Sequence, residues 1–299
     1  MEDYQKYLNP KVLNKINNLE LKARLIVEGF ISGLHKSPFH GFSVEFAQHR
    51  EYVPGDDIRY IDWKVYGRSN RYYIKEYEEE TSLTAYLLLD SSASMQYASE
   101  GNMSKYDYAC HVAASIAYLV FRQQDMVGFC TFDDKIQKIL PSSSNAAYLR
   151  DIVKTMAEVS PQEKTDISEV LKYVGERLRR RGLVVILSDF IDETGNILAG
   201  LRHLRHRKHD VVIMHVLDPD EINFPLQKLT QFEGLEDVNS KVIINPRAIR
   251  NAYLEEINKF ISHLKSGCVA NRIDYVQITT DQDLGVALSA YLANRAGRR

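Results

Sequence analysis

From about residue 82 onward, five near-continuous apolar runs alternate with stretches of helical periodicity. The runs fall at 84–89, 126–132, 183–188, 211–217 and 274–278. The helical stretches lie near 105–122, 146–157, 166–180, 195–206, 247–266 and 282–294. A run such as Leu183-Val184-Val185-Ile186-Leu187 lacks the polar alternation of a half-exposed strand, so both of its faces must be covered. Strands of this kind alternating with helices predict a doubly wound α/β domain with a mostly parallel sheet. Residues 135–140 differ, because Ile136 and Ile139 mix with lysines after Asp133-Asp134. They predict a short edge strand hairpinned onto 126–132.

Two segments stand outside this alternation. Residues 11–31 place Val12, Ile16, Leu19 and Ile26 on one helical face, and residues 42–80 are rich in tyrosine and charge. The latter predict short strands around a Pro54-Gly55 turn. After Asp218-Pro219 closes one strand, Phe232–Leu235 and Lys241–Ile244 suggest a β-rich insertion over 218–246. The domain reading is therefore an N-terminal segment, 1–81, and an α/β domain, 82–299, carrying that insertion. Neither smaller piece is long enough to bury a core alone, so the two are expected to pack together as one β-rich subdomain.

The chain has 299 residues, 44% of them hydrophobic, and a net charge of −2. That charge provides no global field toward nucleic acid or an anionic membrane. Cys110, Cys130 and Cys268 are far apart and show no metal-ligand spacing, so reduced, buried thiols are expected. No signal-peptide core stands at the N-terminus, and no apolar run approaches the ~20 residues that span a bilayer. A cytoplasmic protein without an integral membrane segment is the expectation.

The chemistry gathers at strand ends. Leu87-Leu88-Leu89 runs into Asp90, Ser92 and Ser94, which offer one carboxylate and two hydroxyls at alternate positions. Such hard oxygen donors suit Mg²⁺ or Mn²⁺ rather than Zn²⁺ or Cu²⁺. Asp189 ends another apolar strand, and Thr165 stands just before a helix. In an open parallel sheet these strand ends share one crevice. The competing reading makes Ser94, Thr165 and Asp189 helix N-caps, where such residues are favoured. No G-x-S-x-G, H-E-x-x-H or Gly-rich phosphate loop is present. The basic runs 177–181 and 202–208 read as solvated helix ends.

The series Asp90-x-Ser92-x-Ser94, Thr165, Asp189 resembles the metal-ion-dependent adhesion site of von Willebrand factor A domains. The resemblance covers roughly residues 82–294. It implies that Ser92, Ser94 and Thr165 contact Mg²⁺, with Asp90 and Asp189 acting directly or through water. Two departures are visible: Glu163-Lys164 precedes the threonine and Phe190 follows Asp189, where glycines are common in the family. A second block holds Arg50, Tyr52, Pro54, Gly55, Asp56, Asp57, Arg59, Asp62, Trp63 and Arg68. It resembles the signature of a bacterial family, domain of unknown function fifty-eight, commonly encoded beside MoxR-type AAA+ ATPases. Read without the family, it is a Pro-Gly turn whose Asp56, Asp57, Arg59, Asp62 and Arg68 form a structural charge network.

Together the resemblances imply a non-enzymatic, Mg²⁺-dependent adaptor or co-chaperone. It would work with a MoxR-type ATPase and take an acidic side chain from a protein ligand. The alternatives are an Mg²⁺-dependent hydrolase using Asp90 and Asp189, and a scaffold whose metal site stays empty.

Overall fold

A computed structural model describes residues 44–79, 83–159, 161, 167–178, 180–233 and 241–283. The helix expected over 11–31, Thr165 and nearly all of the helix expected over 282–294 lie outside these residues. The described residues divide between Ser82 and Leu83 into two compact units.

In the smaller unit, β1 (Val44–Glu51) pairs antiparallel with β2 (Tyr73–Glu79). Gly55, at φ 114°, supplies the left-handed turn conformation that a side chain would resist. A 3₁₀ turn (Ile58–Tyr60) and a short helix, α1 (Trp63–Ser69), fill the connection. The helix corrects the expectation that this stretch holds only strands and turns. Asp62 starts it by accepting the Lys64 and Val65 amides at 2.9 and 3.3 Å, and Asn70 ends it at φ 54°.

The larger unit is the expected α/β domain. In chain order it runs β3 (Thr84–Asp90), α2 (Lys105–Arg122), β4 (Met126–Phe132), β5 (Ile136–Ser143) and α3 (Tyr148–Glu158). Next come α4 (Ile167–Arg177), β6 (Leu183–Ser188), α5 (Thr194–His206) and β7 (Asp210–Leu217). The insertion contributes α6 (Pro219–Asn223), β8 (Thr230–Glu233) and β9 (Lys241–Ile244), of which β8 and β9 form an antiparallel pair. The long helix α7 (Pro246–Ala270) and β10 (Asp274–Thr279) follow.

Six strands form one sheet in the order β10-β7-β6-β3-β4-β5, parallel except for β5, which returns antiparallel along β4 as a hairpin. Both faces are covered, as the apolar runs require. Leu87 and Leu89 join Val112, Phe121, Ile152 and Met156 under α2 and α3. Leu88 and Ile186 point the other way, to Val170, Leu201 and Leu264 of α4, α5 and α7. Each fully buried aliphatic side chain contributes roughly 1.5–3 kcal/mol of transfer free energy. Cys110, Cys130 and Cys268 are free and buried, as expected.

Tyr86 depends on small neighbours. A Cβ at Gly128 would lie 3.0 Å from its ring, and one at Gly182 would lie 3.0 Å from the ring and 2.2 Å from the Thr84 carbonyl. Gly182→Ala therefore forces backbone movement and should destabilise by about 1–3 kcal/mol. Gly195, in the first turn of α5, has nothing within 4 Å of its added Cβ. Gly195→Ala should stabilise by about 0.4–1 kcal/mol. Urea midpoints for the two variants should move in opposite directions; equal midpoints would contradict the packing.

Asp125 accepts the Leu83 amide at 2.8 Å, tying the start of β3 to the loop before β4. Burial pushes its carboxyl up to about 6, against the Leu83 hydrogen bond, which favours the ionised form. The folded state thus holds the proton more tightly than the unfolded one. The stabilisation is fully present below the ordinary value of 3.8 and is lost as pH rises through about 6. Asp125→Asn keeps an acceptor without the charge. At pH 8 it should be more stable than the parent by roughly 1–2 kcal/mol, with the difference vanishing below about pH 4.

Candidate metal site at the sheet's carboxyl edge

Successive crossovers run in opposite directions from β3, since β4 lies on one side of it and β6 on the other. The carboxyl ends of β3 and β6 flank this switch point, where open parallel sheets carry their ligand crevice. Asp90 is the last residue of β3, and Asp189 follows the last residue of β6. Both carboxylates are buried, at 1% exposure each. One Asp90 oxygen accepts the Ser92 amide at 2.8 Å and the other accepts the Ser188 hydroxyl at 2.5 Å. Burial, then the facing Asp189 charge, push Asp90 up to about 7.

Ser92 precedes a 3₁₀ turn (Ala93–Gln96), but its side chain makes no capping bond. Its hydroxyl instead lies 3.1 Å from that of Ser94, and both serines are buried. Asp189 does not cap α5 either, since Glu193 is the N-cap there. It accepts the Ile191 amide at 3.3 Å. For Ser94 and Asp189 the helix-cap reading therefore does not hold, and Asp90, Ser92, Ser94 and Asp189 come together at one edge. The Gln96 amide donates to the Pro161 carbonyl, which brings the chain four residues ahead of Thr165 to this turn.

Phe190 explains one sequence departure. It adopts φ 52°, the left-handed region where glycine is at ease, which costs a bulky residue roughly 1–2 kcal/mol. Its ring is buried, edge-on to His215 at 5.7 Å between centroids, so packing offsets the backbone strain. His215 is itself fully buried and accepts or donates at Nδ1 to the Tyr275 hydroxyl, 2.8 Å away. Burial pulls its pKa down to about 4, although the Asp189 charge favours the protonated ring. At neutral pH it is an uncharged wall of the site.

The residue that sequence reasoning missed is Lys105. It is fully buried at the first position of α2, with its ammonium 2.7 Å from Asp189 and 2.5 Å from Glu221 in α6. Burial opposes its charge, but the Asp189 and Glu221 carboxylates outweigh burial and hold it above the ordinary lysine value. Glu221 also closes a capping box with Asp218. Asp218 accepts the Ser99 amide and hydroxyl at 3.1 and 3.0 Å and the Thr280 hydroxyl at 3.0 Å. The first turn of the insertion is thereby fixed to the loop between Asp90 and α2.

The second block lies in the smaller unit. Arg50 pairs with Asp56 at 3.0 Å, and Asp56 also accepts the Val53 amide at 2.9 Å across the Pro54-Gly55 turn. The Arg50 hydrogen bond holds the Asp56 carboxyl below the usual carboxylate range. Asp57 and Arg59 pair at 2.6 Å, and Asp62 contacts His49 at 3.0 Å besides capping α1. The Tyr52 amide donates to the Tyr72 carbonyl at 2.9 Å. Trp63 opens α1, 62% exposed, and Arg68 stands exposed in its last turn.

Among the described residues no three His, Cys, Asp or Glu side chains gather as a metal centre. A cation at the carboxyl edge would therefore draw on hydroxyls, and the hard donor set of Ser92, Ser94, Asp90 and Asp189 fits Mg²⁺. The sheet order and the crevice define a doubly wound α/β domain, with the D-x-S-x-S turn at its carboxyl edge. Residues 48–260 match the family described as "Protein of unknown function DUF58", and the chain belongs to that family.

An uncharacterised protein of Mycobacterium tuberculosis is 28% identical over 221 residues, covering 73% of this chain and 68% of its own. Uncharacterised protein YeaD of Bacillus subtilis is 26% identical over 178 residues, covering 59% and 40%. Among solved structures, BatB from Bacteroides thetaiotaomicron is similar at 15% identity and a TM-score of 0.47, over 72% of this chain and all of that one. The SpRpn10 VWA domain is similar at 10% identity and a TM-score of 0.41, over 70% and 94%. No helix among the described residues is long and apolar enough to cross a membrane.

Lys105→Met should leave Asp189 and Glu221 buried without their shared cation, costing about 3–5 kcal/mol. Adding Glu221→Gln should recover part of that loss, because one stranded charge is removed. A double-mutant cycle by urea denaturation that showed strict additivity would contradict the shared ion pair.

Proposed function

We propose that the chain is a non-catalytic, Mg²⁺-dependent protein-binding adaptor that acts with a MoxR-type AAA+ ATPase. The observation that carries this reading is the meeting of Asp90, Ser92, Ser94 and Asp189 at the switch point of the sheet. Ser92, Ser94 and Thr165 would hold the cation as neutral donors, with Asp90 and Asp189 acting directly or through water. Bound there, Mg²⁺ supplies an electrophilic position suited to a carboxylate from another protein. The protein's own residues leave that role open, because much of the Asp189 charge is already taken up by Lys105. The Asp90 side chain is held by the Ser92 amide and the Ser188 hydroxyl, which fixes its orientation before any ligand arrives.

Hydrolysis would need a base facing the crevice. His215, the imidazole whose environment includes Asp189, is enclosed behind the strand ends and points to Tyr275. The family resemblance supports the adaptor role, and the ATPase partner rests on that resemblance.

Asp90→Asn preserves shape and removes one charge. Calorimetry should show Mg²⁺ binding to the parent and at least about tenfold weaker binding to the variant, with the thermal unfolding of both proteins cooperative. Equal affinities would sink the site. Association with a MoxR-type ATPase, measured for parent and Thr165→Ala with Mg²⁺ and with EDTA, should be strongest for the parent with Mg²⁺. Four equal affinities would separate partner binding from the metal.

A further inference from the structure

The end of the sheet opposite Asp90 carries a different surface. Helices α4 and α5 both run away from the crevice and end beside each other. A Cβ on Gly175 would lie 2.9 Å from the His203 ring and 3.3 Å from Leu204, so the two C-terminal turns are in close contact. Arg177, Arg180 and Arg181 therefore stand next to Arg202, Arg205, Arg207 and Lys208. The nearby acids in these stretches are Glu176 and Asp210, and Asp210 is shared by Arg205 at 2.7 Å and Arg181 at 3.7 Å. A helix C-terminus favours cations through its dipole, but that effect is confined to the last turn. It does not account for a surplus that continues into both following loops, in a chain whose net charge is −2.

Beside this patch lies a cavity of about 380 Å³. Its floor is Tyr86 and Cys130 of β3 and β4, one wall is built on Ile139 of the edge strand β5, and the other is Val174 and Leu178 at the end of α4. Arg177 and Arg180 line it as well. Both are held in place: the Arg177 guanidinium lies 4.3 Å over the Tyr173 ring, and Arg180 reaches the Met126 sulfur at 3.9 Å. Among the described residues α4, α5 and α7 pack on this face of the sheet, and the cavity opens between α4 and β5.

We propose that this groove is a second protein-docking site, which takes an acidic amphipathic segment of a partner. Its apolar side chains would enter the cavity and its carboxylates would meet Arg177 and Arg180. Charge complementarity selects acid over base, and the concave apolar floor selects a peptide over a polyanion. Single-stranded nucleic acid would need a row of exposed stacking rings, whereas Tyr86 and Phe129, the aromatic residues that line the cavity, are buried, and the exposed Tyr173 beside it carries Arg177 over one face of its ring. A lipid surface would need protruding apolar groups, and of the cavity's large apolar residues only Ile139, 44% exposed, protrudes.

The test uses the full chain and three fluorescein-labelled synthetic peptides in anisotropy titrations: one of repeated Glu-Glu-Leu-Leu, one with lysine for glutamate and one with serine for leucine. The Glu/Leu peptide should bind about tenfold or more tightly than either control, and binding should persist in EDTA, which separates this groove from the proposed metal site. Arg177→Glu combined with Arg180→Glu, and separately Ile139→Glu, should each weaken binding by about tenfold. Arg207→Glu, which does not line the cavity, should change it by no more than about threefold at 0.15 M salt. The proposal is overturned if the Glu/Ser peptide binds as well as the Glu/Leu peptide, or if EDTA abolishes binding. It also fails if phosphatidylglycerol vesicles or a thymidine oligonucleotide displace the peptide at equal charge concentration, or if the groove variants bind like the parent.

Discussion

Lys105 shares one buried ammonium between Asp189 and Glu221, and the whole carboxyl edge of the sheet is organised around that sharing. β3 and β6 are parallel neighbours, so the acids at their ends are brought together whether or not their charges agree. Burying each such charge costs several kcal/mol, and two carboxylates side by side add mutual repulsion. Lys105 offsets part of this for Asp189 and Glu221, while Asp90 remains pushed up to about 7. The lysine is itself placed against the dipole of α2, whose first turn it occupies, so the geometry stands only because two anions meet it there. One ion cluster thus fixes the end of β6, the start of α2 and the first turn of the insertion relative to one another.

That cluster also shows where sequence reading reaches its limit. Strands β3, β4, β6 and β7 were legible because double-sided burial leaves a near-continuous apolar run in each, and β10, at the sheet's edge, from the shorter mixed run around Tyr275, Val276 and Ile278. The β5 hairpin was legible from Ile136 and Ile139 among lysines. Helix α1 was not: its seven residues are too few to establish a period, and the signal that starts it is the single carboxylate of Asp62. Lys105 was invisible for a related reason, since a lysine at a helix start reads as solvated and its partners come 84 and 116 residues later. Asp90, Ser92, Ser94 and Asp189 were singled out from strand ends plus the resemblance, and the structure brings these four to one edge of the sheet, while Thr165 lies outside the described residues. Phe190 was visible as an anomaly before its cause was known, because a left-handed backbone position leaves a glycine-shaped gap in a family pattern.

Parallel α/β architecture has an electrical consequence that composition hides. Helices α2, α4 and α5 begin at the crevice edge, and α4 and α5 end at the opposite one, so their dipoles add along the sheet. The positive ends face the acids Asp90, Asp189 and Glu221, while the negative ends of α4 and α5 face Arg177, Arg180, Arg181, Arg205 and Arg207. A chain of net charge −2 is therefore polarised, acidic within the crevice and basic at the far end.

Strand β3 joins the two ends. Asp90 closes it at the crevice and Tyr86 lies four residues back, in the floor of the apolar groove. At about 3.3 Å per residue in a parallel strand, their Cα atoms are separated by roughly 13 Å of fully buried backbone. Its hydrogen bonds to β4 on one side and β6 on the other leave little freedom to stretch or slide. A protein bound at one end therefore stands in a fixed orientation to a protein bound at the other. Two proteins bound as proposed would be held in register by this rigid spacing, because preorganised geometry lowers the ordering cost of bringing them together.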